Sequence, residues 1–215
     1  MLDWKSCVLE SVDSSPPTTR AGSAQNTPSP AMHPPETTTP RKFAPDASLI
    51  LVGIRGCGKR SLGFVAATAL KRRFITEDHY FKEITGVTRQ EYLKRHGSQE
   101  FQRRGIEVLK MMLDNHRTGC VVECGLGSLT RPVQDHLRRL VVTNPVVHLV
   151  RDIDRIQQLL GLDNHSVRLL REGDPLHRAC SNFEFYNLED RTRIVSDDGS
   201  PDPRSAAYSF KLQEV

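Results

Sequence analysis

The sequence predicts a three-layer α/β/α domain around a central parallel sheet, on three observations. From Ser48 onward, short apolar runs alternate with longer amphipathic segments, the texture of β-α-β units. The first run, Leu49-Ile50-Leu51-Val52, leads into Gly53-Ile54-Arg55-Gly56-Cys57-Gly58-Lys59, a match to G-x-x-x-x-G-K placed after a strand and before a helix, where such a loop holds phosphate. A later run, Val146-Val147-His148-Leu149-Val150, reads as another buried strand, as in a sheet covered on both faces.

The elements follow in order. Leu49 to Val52 is a strand and Ser61 to Lys71 a helix. Next come a short strand at Phe74-Ile75, helices across Glu91 to Asn115, a strand from Cys120 to Glu123 and a helix near Pro132 to Val142. After the strand at Val146 to Val150, helices around Ile153 to Leu160 and Val167 to Asn182 complete the opposite layer. Asp197 to Ser205 reverts to a Gly, Pro and Asp linker. Tyr208 to Val215, with apolar Tyr208, Phe210 and Leu212, reads as the start of something further. The expected organisation is a Pro/Ser/Thr-rich tail over 1–46, a P-loop domain over 47–190, and a linker with the start of another domain over 191–215.

Composition narrows the function classes. A chain of 215 residues with 37% hydrophobic content fits one core plus tails. Its 30 Lys+Arg against 26 Asp+Glu give a net charge of +4, spread along the chain; without helix-turn-helix or zinc-finger spacing, direct DNA contact is not expected. The five cysteines show no C-x-x-C pair, and no apolar stretch approaches the roughly 20 residues of a membrane span. A reducing intracellular setting, nucleus or cytoplasm, is expected, with no membrane contact. From Ser11 to about Pro45 too few large apolar residues occur to offset the entropy of ordering. Ser15-Pro16, Thr27-Pro28, Ser29-Pro30 and Thr39-Pro40 there have the form of proline-directed phosphorylation sites, a form common in any disordered tail.

The phosphate loop contains a conflict. Gly53, Gly56 and Gly58 let backbone N–H groups curl around phosphate, the helix start adds its positive dipole end, and Lys59 is expected to reach the β and γ oxygens. The next position should be Ser or Thr, whose hydroxyl holds Mg²⁺, and is Arg60, which cannot ligate a cation. Ser61 comes one residue late, turned about 100° around the helix. Phosphate binding with Arg60 supplying positive charge in the metal's place is the reading that remains.

With that loop, the chain resembles the shikimate kinase family, and more closely the shikimate-kinase-like domain of the fungal pentafunctional arom protein, over about Ser48 to Asp190. The likeness rests on Phe74-Ile75-Thr76-Glu77-Asp78, on Gly97 through Phe101 and Glu107-Val108-Leu109, and on Val121-Val122-Glu123-Cys124-Gly125-Leu126-Gly127. Val150-Arg151-Asp152-Ile153 and Cys180 through Tyr186 complete it. It implies a nucleoside-monophosphate-kinase-like fold with a shortened lid.

The departures from the family are as specific as the matches. The resemblance implies a D-x-D after the second strand, one carboxylate organising the metal's water shell and the next binding shikimate; here the first is Thr76 and Asp78 remains. The arginine of a Phe-Arg pair, implied to clamp the shikimate carboxylate, is replaced in Phe101-Gln102, a neutral amide for a bidentate fork. Arg103 and Arg104 read as surface charges, and the helix's third implied carboxylate is Gly105. Three implied glycines read Gly125-Leu126-Gly127, and Glu123 stands where the family has a small residue. Leu160 to Ser166 runs directly into Val167 without the lid's Arg-Pro pair, and Gly173 occupies the position of a later pocket arginine, a loss that Arg168 or Arg171 is not expected to make good.

A shikimate kinase so altered, behind such a tail, looks like the N-terminal part of the fungal repressors of quinate utilisation. That resemblance implies a regulator that binds the pathway's transcriptional activator, with a pocket that senses quinate, shikimate or dehydroshikimate, or binds nothing, and a chain continuing into a dehydroquinase-like domain. It implies no catalytic residue, no metal ligand and no required cofactor, with ATP or ADP binding left open. The expected phosphate-binding residues are Gly53, Gly56, Gly58, Lys59, Arg60 and Ser61, and the expected ligand-pocket residues are Asp78, Gly125 and Gly127. An active small-molecule kinase using Lys59, Asp78 and Arg60 is the alternative. Cys120 and Cys124 read as small core residues, His79 and His148 as structural, and Arg151 to Arg155 as the solvated opening of a helix.

Overall fold

The computed structural model describes residues 43–125 and 129–189 and the backbone of 208–214. In chain order the elements are β1 (Leu49–Val52), α1 (Lys59–Ala69), β2 (Arg73–Thr76), α2 (Glu77–Thr85), α3 (Arg89–Asn115) and β3 (Cys120–Glu123). They continue with α4 (Arg131–Leu140), β4 (Val146–Val150), α5 (Ile153–Leu160), α6 (Asn164–Arg178), β5 (Phe183–Glu189) and β6 (Tyr208–Glu214). The sheet order is β2-β3-β1-β4-β5-β6; β1 to β5 pair in parallel, which requires the helical crossovers between them.

Side chains of the central strands alternate between two cores. Ile50, Val52, Cys120 and Val122 join Phe81, Leu109, Met112 and Leu137 from α2, α3 and α4. Leu51, Val121, Val147 and Leu149 join Ala67, Ile156 and Leu170 from α1, α5 and α6. A period of two with apolar residues on both faces is what a covered parallel sheet demands. Cys120 and Cys124 lie buried in the first core.

Several boundaries differ from the sequence expectation. Helix α1 begins at Lys59, directly after Gly58 at φ 103°. Helix α2 was not expected; the Thr76 side chain caps it by accepting from the His79 amide. Helix α3 carries a Thr88/Glu91 capping box and breaks its helical dihedrals at Gly97, φ 80°. Helix α6 ends at Arg178, short of Asn182, because the Asn182 amide is needed elsewhere: its Oδ1 accepts from Val146 N at 2.8 Å and its Nδ2 donates to Val141 O at 2.9 Å. That bridge releases the chain into β5, which the sequence reading did not assign.

Residues near both expected domain edges contact the sheet or α1 and its end. Phe43, placed in the tail, packs edge-on against Phe183 with centroids 5.9 Å apart, and Arg72 Nη2 donates to Pro45 O at 2.5 Å. Residues 1–42, with the expected tail phosphorylation motifs, lie outside the described residues. Tyr208–Glu214, expected to open a further domain, pairs antiparallel with β5 from Phe183↔Glu214 to Glu189↔Tyr208. Pairing there satisfies the backbone groups that β5 would otherwise present at an open edge. The lid is short, as expected: only residues 161–163 join α5 to α6, with Gly161 at φ 59° ending one helix and Asp163 capping the next through Ser166 N. No helix among the described residues is long and apolar enough to cross a membrane.

Candidate functional site

The carboxyl ends of β1, β2 and β3 place the site, since ligands of open parallel sheets bind outside those ends. The phosphate loop follows β1 and turns on three glycines, Gly53, Gly56 and Gly58, at φ 144°, 85° and 103°. Such dihedrals favour glycine, and the loop is enclosed besides: a Cβ on Gly56 would meet Ile156 Cγ2 at 2.8 Å, and one on Gly58 would meet Asn187 Nδ2 at 2.7 Å. Asn187 donates to Cys57 O at 3.0 Å, and Arg151 Nη1 donates to Gly56 O at 3.2 Å. Arg151 is therefore a strut of the loop, where the sequence reading took the run it opens as solvated.

Lys59 does not extend away from the loop. Its buried ammonium donates back to Gly53 O at 2.6 Å and Ile54 O at 2.9 Å. A bound phosphate would have to compete with those carbonyls. The neighbouring Cys57 thiol is pushed up in pKa by burial, against the opposing charge of Lys59. Ser61 lies exposed on α1.

Arg60 projects between two carboxylates. Its Nη2 donates to Asp78 Oδ2 at 3.0 Å and its Nε to Glu123 Oε2 at 3.4 Å. Strand pairing explains the meeting, because Thr76 and Glu123 are register partners on β2 and β3, and Asp78 follows in the first turn of α2. A guanidinium thus sits where a magnesium site would need a hydroxyl oxygen, and it neutralises the nearby carboxylates. The donor set does not fit Mg²⁺, which takes oxygen ligands in near-octahedral geometry. Among the described residues no group of three His, Cys, Asp or Glu forms a metal site.

The expected ligand pocket holds an arrangement that sequence reasoning missed. Glu77, almost fully buried, accepts from Arg89 Nη1 at 2.5 Å through Oε1 and from Gly125 N at 2.5 Å through Oε2. The Arg89 guanidinium lies 5.2 Å from the Phe81 ring centroid and 5.1 Å from that of Phe101, a stacked cation–π geometry. Its Nη2 is 4.0 Å from where a Gly105 Cβ would stand. A Cβ on Gly125 would fall 2.7 Å from Glu77 Oε2, which makes glycine necessary there for this contact. Gly127 and Leu126 lie outside the described residues.

The stand-ins for lost arginines are engaged elsewhere. Arg168 pairs with Glu172 at 2.8 Å and Arg171 with Asp154 at 3.2 Å, all exposed. Arg103 pairs with Glu100 and Glu107 on the surface of α3. A Cβ on Gly173 would meet Leu129 Cδ1 at 3.4 Å. Behind the loop, buried His148 places Nε2 3.0 Å from Asp174 and Nδ1 3.5 Å from Glu184, while Glu184 accepts from Tyr186 Oη at 2.6 Å and pairs with Arg178 at 2.9 Å. His177, also buried, is held well below the usual imidazole pKa by burial first, then by the charges of Lys59 and His148. His148 thus belongs to a polar cluster with Asp174 and Glu184 that its strand position alone does not announce.

Comparison with known proteins agrees with this geometry. The family model for shikimate kinase matches residues 55–212. A quinate repressor protein of Emericella nidulans is 41% identical over 155 residues, 71% of this chain and 17% of that protein. A second, from Talaromyces stipitatus, is 31% identical over 149 residues, 69% of this chain and 18% of that protein, so the chain spans under a fifth of either relative. The pentafunctional AROM polypeptide of Mycosarcoma maydis is 28% identical over 189 residues, 82% of this chain and 11% of that one. Among solved structures, shikimate kinase from Acinetobacter baumannii in complex with shikimate superposes with a TM-score of 0.54 at 25% identity, covering 71% of this chain and 87% of its own. With the P-loop in place and the family model matching most of the chain, the chain belongs to the shikimate kinase family.

Proposed function

We propose that this chain is a regulatory, non-phosphorylating member of the family, acting in repression of quinate-utilisation genes. The observation that carries the reading is Arg60 held between Asp78 and Glu123. In phosphoryl transfer, positioned Mg²⁺ and free cationic groups stabilise charge on the transferring phosphoryl group. Here the metal's hydroxyl ligand is an arginine, the remaining carboxylate of the pair is engaged by that arginine, and Lys59 is bonded to its own loop. The repressor names of the two relatives support the regulatory direction.

Regulation in this reading runs through contact with the pathway's transcriptional activator, while the old pocket senses a quinate-pathway acid such as quinate, shikimate or dehydroshikimate. ATP or ADP is not required. The test is isothermal titration of the purified chain with ATP, ADP, shikimate and quinate, with and without Mg²⁺, beside a coupled ATP-turnover assay. Binding of an acid without turnover is the expected result. Sustained Mg²⁺-dependent shikimate phosphorylation that disappears in Lys59→Ala overturns the reading in favour of a rebuilt kinase. Co-precipitation of the activator with the chain, and its loss on unfolding the domain, tests the partner.

A further inference from the structure

Between α2, α3 and the end of β3, two donors converge on one buried carboxylate and form a receptor for it. Arg89 offers a guanidinium N–H and Gly125 a backbone N–H, both at 2.5 Å from one carboxylate, and charge-assisted contacts of this kind are the strong ones. Both donors also have supports besides that carboxylate. Phe81 and Phe101 hold the guanidinium from their ring faces, and Gly125 is positioned by the backbone just beyond β3. The occupant is the chain's own Glu77, the first residue of α2, with exposed Asp78 beside it 3.8 Å from Arg89 Nε.

We propose that Glu77 is a tethered competitor: its carboxylate fills the receptor formed by Arg89 and the Gly125 amide, and a small carboxylate ligand binds only by displacing it. The proposal rests on the reading of this pocket as a ligand-sensing site, and it specifies how that site is gated. Because the competitor is intramolecular, its effective concentration is set by the fold and stays high. Wild-type affinity for a free acid is accordingly reduced by the fraction of time the receptor is open. Displacement also frees the start of α2, where Thr76, Glu77 and Asp78 lie in sequence, so ligand occupancy changes the surface that Arg60 and Asp78 share.

The experiment is calorimetric titration of the 215-residue chain with quinate, shikimate and the methyl ester of shikimate. Wild type is compared with Glu77→Ala, Glu77→Gln and the double variant Glu77→Ala/Arg89→Ala, with circular dichroism confirming each fold. Glu77→Ala is expected to bind at least tenfold tighter to one of the acids, with Glu77→Gln moving in the same direction. Adding Arg89→Ala should abolish the gain, and the ester, lacking the carboxylate, should show none. Equal affinity of wild type and both Glu77 variants, absence of acid binding in Glu77→Ala and Glu77→Gln alike, or a gain that survives Arg89→Ala overturns the proposal. Phosphoryl turnover in wild type overturns the regulatory reading instead and leaves the gating result to stand on its own.

Discussion

Two glycines inside helices predict opposite responses to the same substitution. Gly63 in α1 faces the sheet: an added Cβ would lie 2.5 Å from Phe74 Cε2, 2.9 Å from Phe74 Cζ and 3.0 Å from Leu51 Cδ1. Gly105 in α3 has only Arg89 Nη2, at 4.0 Å, within reach of the same atom, an ordinary van der Waals distance. Replacing glycine by alanine within a helix gains about 1 kcal/mol from backbone propensity. At 105 nothing opposes that gain, so Gly105→Ala stabilises by about 1 kcal/mol. At 63 the Phe74 ring must move by most of an ångström against the buried Leu51, and overpacking of this kind costs about 1–3 kcal/mol. Cost outweighs gain, and Gly63→Ala is destabilised by about 1 kcal/mol net. The two variants should therefore differ by about 2 kcal/mol, a separation of about 1 M in urea midpoint for a slope near 2 kcal/mol/M. Urea denaturation followed by circular dichroism measures it. A Gly63→Ala midpoint at or above that of Gly105→Ala would refute the packing of α1 on β1 and β2 described above.

Three further outcomes follow from the site. Arg60→Ser restores a hydroxyl to the phosphate loop and removes an exposed pair with Asp78, worth under about 1 kcal/mol, together with a longer 3.4 Å contact to the mostly buried Glu123; a coupled assay should still show no shikimate phosphorylation, since Thr76 and Gln102 are unchanged. Buried His177 has a folded-state pKa well below its usual 6.5. Above about pH 6.5 neither state binds the proton, whereas below it only the unfolded chain does, so stability is lost on acidification at about 1.4 kcal/mol per pH unit until the folded pKa is reached. His136 shifts in the same direction, so the check is the difference in urea midpoint between pH 7 and pH 5.5 for wild type against His177→Leu, which should be smaller in the variant. Cys57, Cys120, Cys124 and Cys180 are buried, with thiols of Cys57, Cys124 and Cys180 pushed up in pKa by burial, Cys180 to about 11; mass spectrometry should find all four unlabelled by iodoacetamide in the folded chain and labelled in urea.

The parts of the fold legible in the sequence were those written in uninterrupted apolar runs. Leu49–Val52, Cys120–Glu123 and Val146–Val150 coincide with observed strands, because both faces of each are covered. Strand β5 was not legible, since Phe183-Glu184-Phe185-Tyr186 places a carboxylate in mid-strand and the reason, an ionic group with His148 and Arg178, is tertiary. Helix α2 was missed because it is only 9 residues long and starts from Thr76. The substitution of Arg60 was plain from the motif; what it touches was not, as Glu123 is 63 residues away. Glu77 and Arg89 are 12 residues apart across a helix end and a turn, a pairing with no periodic signature.

Arg60, Glu77 and Arg89 also explain how a pocket can change its chemistry while its scaffold persists. Strands β1 and β3 bury their apolar side chains in the two cores, whereas the altered positions 60, 76, 102 and 105 lie on the helices and strand ends around the site. A cation at such a rim costs little if it finds an anion within the same rim, and both have one: Arg60 pairs with Asp78 and Glu123, Arg89 with Glu77. The pairing leaves these residues in contact with each other. Buried Glu77 then acquires a structural cost of removal, while exposed Arg60 and Asp78 do not. Stability and ligand affinity should accordingly move in opposite directions at position 77, Glu77→Ala losing the one as it gains the other, and should be nearly uncoupled at position 60.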